Sequence, residues 1–165
     1  MSKFRVSVYK QYFDFSAAHF ITFGGRCEKL HGHNYRVEVS LSGENGPDAF
    51  LYNFSDLKPL VRQECDALDH RVLLANRNPQ ITITAGQSRD ELEVSFGTRR
   101  YVFPQDEVIL LPIENTTAEM LAFYLLGRIR QGLVEHNRPE LTGLHQIEVM
   151  VEEQPGQAAF YAEEL

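Results

Sequence analysis

Hydrophobic and polar positions alternate most cleanly in HNYRVEVSLS, residues 33–42. Tyr35, Val37, Val39 and Leu41 share one face, and Asn34, Arg36, Glu38 and Ser40 the other, which is the period of a half-buried strand. Residues 4–14, rich in Phe, Val and Tyr, predict an earlier strand, and SGENGPD at 42–48 is turn chemistry. The period then lengthens. Leu57, Leu60, Val61, Cys65 and Leu68 form one helical stripe, with Ser55 as the expected N-cap. A second helix is expected from about Thr117 to Glu135, opened by a Thr116–Glu119 capping box and weakened near its end by Gly132. Between the helices, residues 80–111 read as additional β-structure. Ile81 and Ile83 alternate, and ELEVSFGTRRYVF reads as a hairpin turning near Gly97-Thr98. A strand at 145–153, a Pro-Gly turn and a short strand at 158–162 close the chain. This order predicts a single α+β domain over residues 1–165. Its sheet is expected to be antiparallel, with both helices on one face and a β-hairpin region at 75–113 inserted between them.

Composition narrows the class. A chain of 165 residues with 43% hydrophobic and 24% charged positions suits one globular domain with its own core. No apolar run approaches the ~18 residues that a membrane helix needs. The opening MSKFRVSVYKQYFDF has no signal-peptide core, so the cytoplasm is the expected address. Cys27 and Cys65 do not make a disulfide framework. A formal net charge of −7 disfavours nucleic acid and anionic membranes as partners.

The chemistry gathers at CEKLHGH, residues 27–33. Residues i and i+2 of a strand point the same way, so His31 and His33 can aim two imidazoles at one point. His19, in FSAAHF, joins them if the first two long strands pair antiparallel. Three neutral imidazoles with an open fourth position suit a catalytic Zn²⁺, and without an anionic ligand the ion keeps its full charge for a substrate oxygen. The competing reading is an exposed polar strand entry. His136 and His145 read as solvated.

Cys27 precedes His31 by four residues, close enough to neighbour a metal without binding it. Zn²⁺, Arg26 and Lys29 are candidate charges to lower its thiol pKa and make it a general base; the alternative is a partly buried inert thiol. Cys65, on the helix stripe, reads as inert. Asp69 and His70 form a candidate acid–base pair at the end of the first helix, although adjacent residues in extended chain rarely bond to each other. Glu153 continues the apolar face of Ile147, Val149 and Val151, where a carboxylate needs a partner. A ligand with a guanidinium-like edge would supply one, and fraying before Gln154-Pro155-Gly156 is the alternative.

FSAAH (15–19), CEKLHGH (27–33), NFSDLK (53–58), LDH (68–70), TTAEMLA (116–122) and VMVEE (149–153) occur in one order. Together they resemble the 6-pyruvoyltetrahydropterin synthase / 6-carboxytetrahydropterin synthase family. The resemblance implies the tunnelling fold, in which sheets of several subunits close a barrel, usually as a hexamer of two trimers with active sites at subunit interfaces. It implies zinc on His19, His31 and His33, Cys27 as base with Asp69 and His70, and Glu153 as the pterin anchor beside Thr117 and Glu119. The implied substrate is 7,8-dihydroneopterin triphosphate, converted to 6-pyruvoyl- or 6-carboxytetrahydropterin, the latter on a queuosine route.

Departures are the 75–113 insertion, Met120 where many members have Asn, and Gln154 where Thr is usual. Some members carry Glu in place of the cysteine and cleave the same substrate to 6-hydroxymethyl-7,8-dihydropterin for folate. Glu28 stands at that position. Having both Cys27 and Glu28 resembles the subgroup that combines the two activities; without the resemblance, Glu28 reads as a solvated loop charge. A non-catalytic zinc or pterin-binding module is the reading from another class.

Overall fold

The computed structural model describes residues 4–9, 13–135 and 143–165. In chain order it contains β1 (Phe4–Val8), β2 (Asp14–His19), β3 (Thr22–Phe23), β4 (Arg26–Cys27), β5 (His31–Gly43), α1 (Phe54–Leu68) and β6 (Arg71–Ala75). There follow β7 (Thr82–Ala85), β8 (Glu91–Phe96), β9 (Arg99–Pro104), β10 (Val108–Leu111), α2 (Ala118–Glu135), β11 (Leu144–Gln154) and β12 (Gln157–Glu164).

The alternating run at 33–42 is the spine of the fold, extended at both ends into the 13-residue β5. Its C-terminal half pairs antiparallel with β1 and its N-terminal half with β2, so the strand expected over 4–14 is two strands on one edge of β5. β11 lies antiparallel along the other edge, and β12 returns along β11. The sheet is not antiparallel throughout. β6 runs parallel to β2, and β10 parallel to β6. The chain leaves the sheet at the end of β5 and returns after α1 in the opposite direction; because β5 is antiparallel to β2, β6 lies parallel to β2 on its far edge.

Tyr35, Val37, Val39 and Leu41 are buried, and so are Ile147, Val149 and Val151 on the neighbouring strand. The predicted α1 stripe, Leu57, Leu60, Val61, Cys65 and Leu68, closes this core, together with Leu121, Leu125, Leu126 and Ile129 of α2. The caps differ from those expected. Asn53, not Ser55, caps α1: its side-chain oxygen accepts the Ser55 N–H at 2.9 Å. The Thr116–Glu119 box does not form, because the Thr116 hydroxyl donates to the Phe20 carbonyl at 2.9 Å. Thr117 accepts the Met120 N–H at 3.4 Å instead. α2 runs to Glu135, the end expected from the sequence.

The insertion holds a separate sheet, β7–β8–β9, turning at Gly97 as predicted, before β10 rejoins the main sheet. It has its own small core of Phe20, Leu74, Leu92, Val94 and Val108, against which Cys27 and Leu30 pack. Of the two histidines read as solvated, His145 lies exposed in β11, and His136 falls outside the described residues. Among the described residues, no helix is long and apolar enough to cross a membrane.

Candidate metal centre and active-site cleft

The pairing of β2 with β5 sets His19 directly opposite His31, and the strand period brings in His33. The three rings gather with centroid separations of 4.7, 5.3 and 4.9 Å. Gly32 permits this pairing, since a Cβ there would come within 3.1 Å of the Ala17 carbonyl oxygen. His19 Nδ1 lies 2.9 Å from the Thr116 carbonyl, and His31 Nδ1 lies 2.8 Å from the Lys29 carbonyl. A carbonyl only accepts, so both rings carry their proton on Nδ1 and present the Nε2 lone pair. Burial drives the His19 pKa down to about 4; the Thr116 carbonyl opposes this, and charge on His31 or His33 would add to it. His19 is therefore neutral near pH 7. The Tyr35 hydroxyl donates to His19 Nε2 at 3.2 Å.

Glu153 joins this group. Its Oε1 lies 3.0 Å from His33 Nε2, yet that buried nitrogen has no hydrogen bond, because the contact is off the ring nitrogen's axis. A register shift in β11 between Glu152 and Gln154 accompanies the approach of Glu153 to His33. One donor atom from each of His19, His31, His33 and Glu153 lies within 4.8 Å of all the others. Oriented imidazole nitrogens, an orphaned ring nitrogen and a carboxylate make a donor set that fits Zn²⁺.

A cleft of about 440 Å³ opens beside these groups, lined by His19, Glu28, His31, Thr117, Glu119 and Glu153 among others. Gly24 and Gly25, both at positive φ (+53° and +73°), turn the chain between β3 and β4. That ribbon delivers Cys27 and Glu28. Glu28 faces the cleft, with Oε2 3.9 Å from His31 Nε2. Cys27 packs toward the insertion, and its thiol donates to the Glu28 carbonyl at 3.4 Å. Burial raises the Cys27 pKa, against a smaller opposing influence of Arg99. The cation beside Cys27 is thus Arg99 rather than Arg26 or Lys29. Sequence reasoning missed Arg99; its position just after the Gly97-Thr98 turn, at the tip of a hairpin, was the available signal.

Asp69 and His70 do bond to each other. His70 adopts φ +54°, a left-handed conformation that brings its Nδ1 to 2.8 Å from Asp69 Oδ2. Asp69 Oδ1 also accepts the Ser16 N–H at 2.8 Å. The Ser16 amide is the main cause that holds the Asp69 carboxyl below its usual range, with His70 adding to it. His70 lines a different cavity, with Ser16, His33, Asn34, Arg71 and Glu107. Within one chain, therefore, the Asp69–His70 pair does not face the cleft that Glu28 faces.

Fold and site together define an α+β protein whose sheet carries a histidine cluster that could hold a metal ion, beside a cleft. The chain belongs to the 6-pyruvoyl tetrahydropterin synthase family, whose model matches residues 7–164. It is 36% identical over 149 residues to a candidate 6-carboxy-5,6,7,8-tetrahydropterin synthase of Methanocaldococcus jannaschii, covering 89% of this chain and 88% of the relative. The 6-pyruvoyl tetrahydropterin synthase of Plasmodium falciparum superposes with a TM-score of 0.92 at 30% identity, covering 100% of both chains. A variant of the Plasmodium vivax enzyme, described as a catalytic-residue mutant with glutamate replaced by alanine, matches with a TM-score of 0.92 at 28% identity, again over 100% of both chains. The chain thus has the α+β subunit fold of tunnelling-fold proteins that the motifs implied.

Proposed function

We propose that the protein is a zinc-dependent synthase acting on 7,8-dihydroneopterin triphosphate. It makes 6-carboxy-5,6,7,8-tetrahydropterin for 7-deazaguanine synthesis and, through Glu28, also 6-hydroxymethyl-7,8-dihydropterin for folate. The observation that carries the reading is the arrangement at Cys27-Glu28: Glu28 lines the cleft next to His31, while Cys27 stands one residue away on the insertion side. The relative from Methanocaldococcus supports the carboxy product. The glutamate changed in the Plasmodium vivax catalytic variant supports a catalytic role for Glu28.

His19, His31 and His33 would hold the zinc, whose chemistry is to polarise and acidify the hydroxyls of the substrate side chain. Glu28 takes a proton from that side chain for the cleavage to the hydroxymethyl product, and Cys27 takes one for the carboxy product. Glu153 exchanges His33 for the amino-pyrimidine edge of the pterin, which offers it two parallel donors; Thr117 and Glu119 line the same wall. The Asp69–His70 pair faces another cavity, so the proposed site is completed by the pair of a second subunit, which returns the proton. That need favours the hexamer of two trimers.

Incubation with dihydroneopterin triphosphate and identification of the products tests this. Cys27→Ala is expected to remove the carboxy product and Glu28→Ala the hydroxymethyl product. Equal loss of both products in both variants would refute separate roles. Bound zinc without turnover would identify a binding module instead.

A further inference from the structure

Arg99 lies at the start of β9, at the tip of the inserted hairpin, and reaches back to the ribbon that carries the two proposed bases. Its Nη1 donates to the Cys27 carbonyl at 2.8 Å and to the Glu28 carbonyl at 2.5 Å. Two consecutive carbonyls captured by one guanidinium fix the peptide plane between the two residues. The Glu28 N–H is held from the other side by the Ile21 carbonyl at 3.0 Å. With that peptide pinned, the Cys27 side chain packs against the insertion's core and the Glu28 side chain faces the cleft. Neighbouring side chains on extended backbone point to opposite sides, so exchanging the two requires the ribbon to roll about its own axis or slip by one residue, and either movement breaks the bonds from Arg99.

We infer that Arg99 is a positioning residue through which the 75–113 insertion decides which of Cys27 and Glu28 reaches the substrate. The inference rests on the function proposed above. It makes the insertion a specificity element, since a charged donor bonded to two carbonyls holds the ribbon more firmly than packing of Cys27 and Leu30 alone.

The test combines product analysis with thiol labelling of the intact oligomer. Wild type, Arg99→Ala and Arg99→Lys are compared for kcat and KM of each product separately, and for the rate at which Cys27 reacts with iodoacetamide. Cys65 is fully buried, with its thiol pushed up to about 12, and serves as the silent internal control. Losing a charged hydrogen bond implies a change of about tenfold. Because loss of the Arg99 charge by itself raises the Cys27 pKa and slows labelling at any one pH, the rate is followed as a function of pH, and Arg99→Ala is expected to raise the limiting rate of the Cys27 thiolate about tenfold and to move the product ratio toward the carboxy product by a similar factor through kcat, with KM little changed. Arg99→Lys, which restores one donor, is expected to recover part of both effects. An unchanged limiting thiolate rate in Arg99→Ala overturns the clamp, whether or not the enzyme turns over. An unchanged product ratio, with wild type active, overturns its role in specificity. A wild type that makes neither product refutes the proposed function separately, and the labelling arm still reads the clamp.

Discussion

At the scale of single residues, His70 shows how one dihedral angle makes a pair that spacing argues against. Its φ of +54° lies where a non-glycine residue costs roughly 1–3 kcal/mol. The surrounding contacts hold it: its own N–H donates to the Ser16 carbonyl at 2.7 Å, while the Ser16 N–H donates to Asp69. Strain of this kind at a proposed acid–base pair is consistent with function. Asp69 gives a prediction in pH. Its native pKa lies below the unfolded value of about 3.9, so its contribution to stability is present above that value and lost as pH falls through the native one. The urea midpoint of Asp69→Asn is expected to lie below that of wild type near about pH 6, and the gap to shrink steadily below about pH 4. A gap independent of pH would show that the carboxylate charge is not the stabilising feature. The imidazole cluster was legible because strand period fixes where His31 and His33 point. The His70 dihedral, the turn of Glu153 toward His33 and the reach of Arg99 were not, since no local pattern encodes them.

At the scale of elements, period was a good guide and boundaries were not. The α1 stripe is buried as read. Both caps were misplaced by one or two residues, because neighbouring Ser, Thr and Asn side chains compete to cap and tertiary contacts choose between them. Thr116 is taken by the Phe20 carbonyl, and its own carbonyl orients His19. A helix-capping side chain has therefore been given up to hold the histidine cluster in place. For α1, Asn53→Ala is expected to lower stability by about 1 kcal/mol and Ser55→Ala by much less, as read from urea midpoints. The opposite ranking would restore Ser55 as the cap. The hairpin at Gly97 was legible from its turn residues. The return of β10 to pair with β6 was not, since parallel pairing between distant strands leaves no local mark.

At the scale of the molecule, the sheet gathers the site from opposite ends of the chain: β2, β5, the start of α2 and the end of β11. The order of elements was legible; the mixed direction of the sheet was not, because a crossover helix leaves the pairing partner of the next strand open. If the donor group binds zinc, the ion stabilises the folded chain in proportion to its occupancy. At about a hundred times its Kd, the gain is about 2.7 kcal/mol, or roughly 5–10 °C in Tm for a chain of this size. Chelation should lower Tm by that amount in wild type and leave apo His31→Ala unmoved. A chelator-insensitive wild type would argue against a metal at these residues.

The separation of the donors along the chain also sets a timetable. Once β5 has been synthesised, all three imidazoles lie on one local pairing, β2 with β5, while Glu153 waits for the last pair of strands. The three nitrogen donors thus belong to an early strand pair and the carboxylate proposed to anchor substrate to the last strands, so completion of the substrate-binding wall is tied to completion of the sheet.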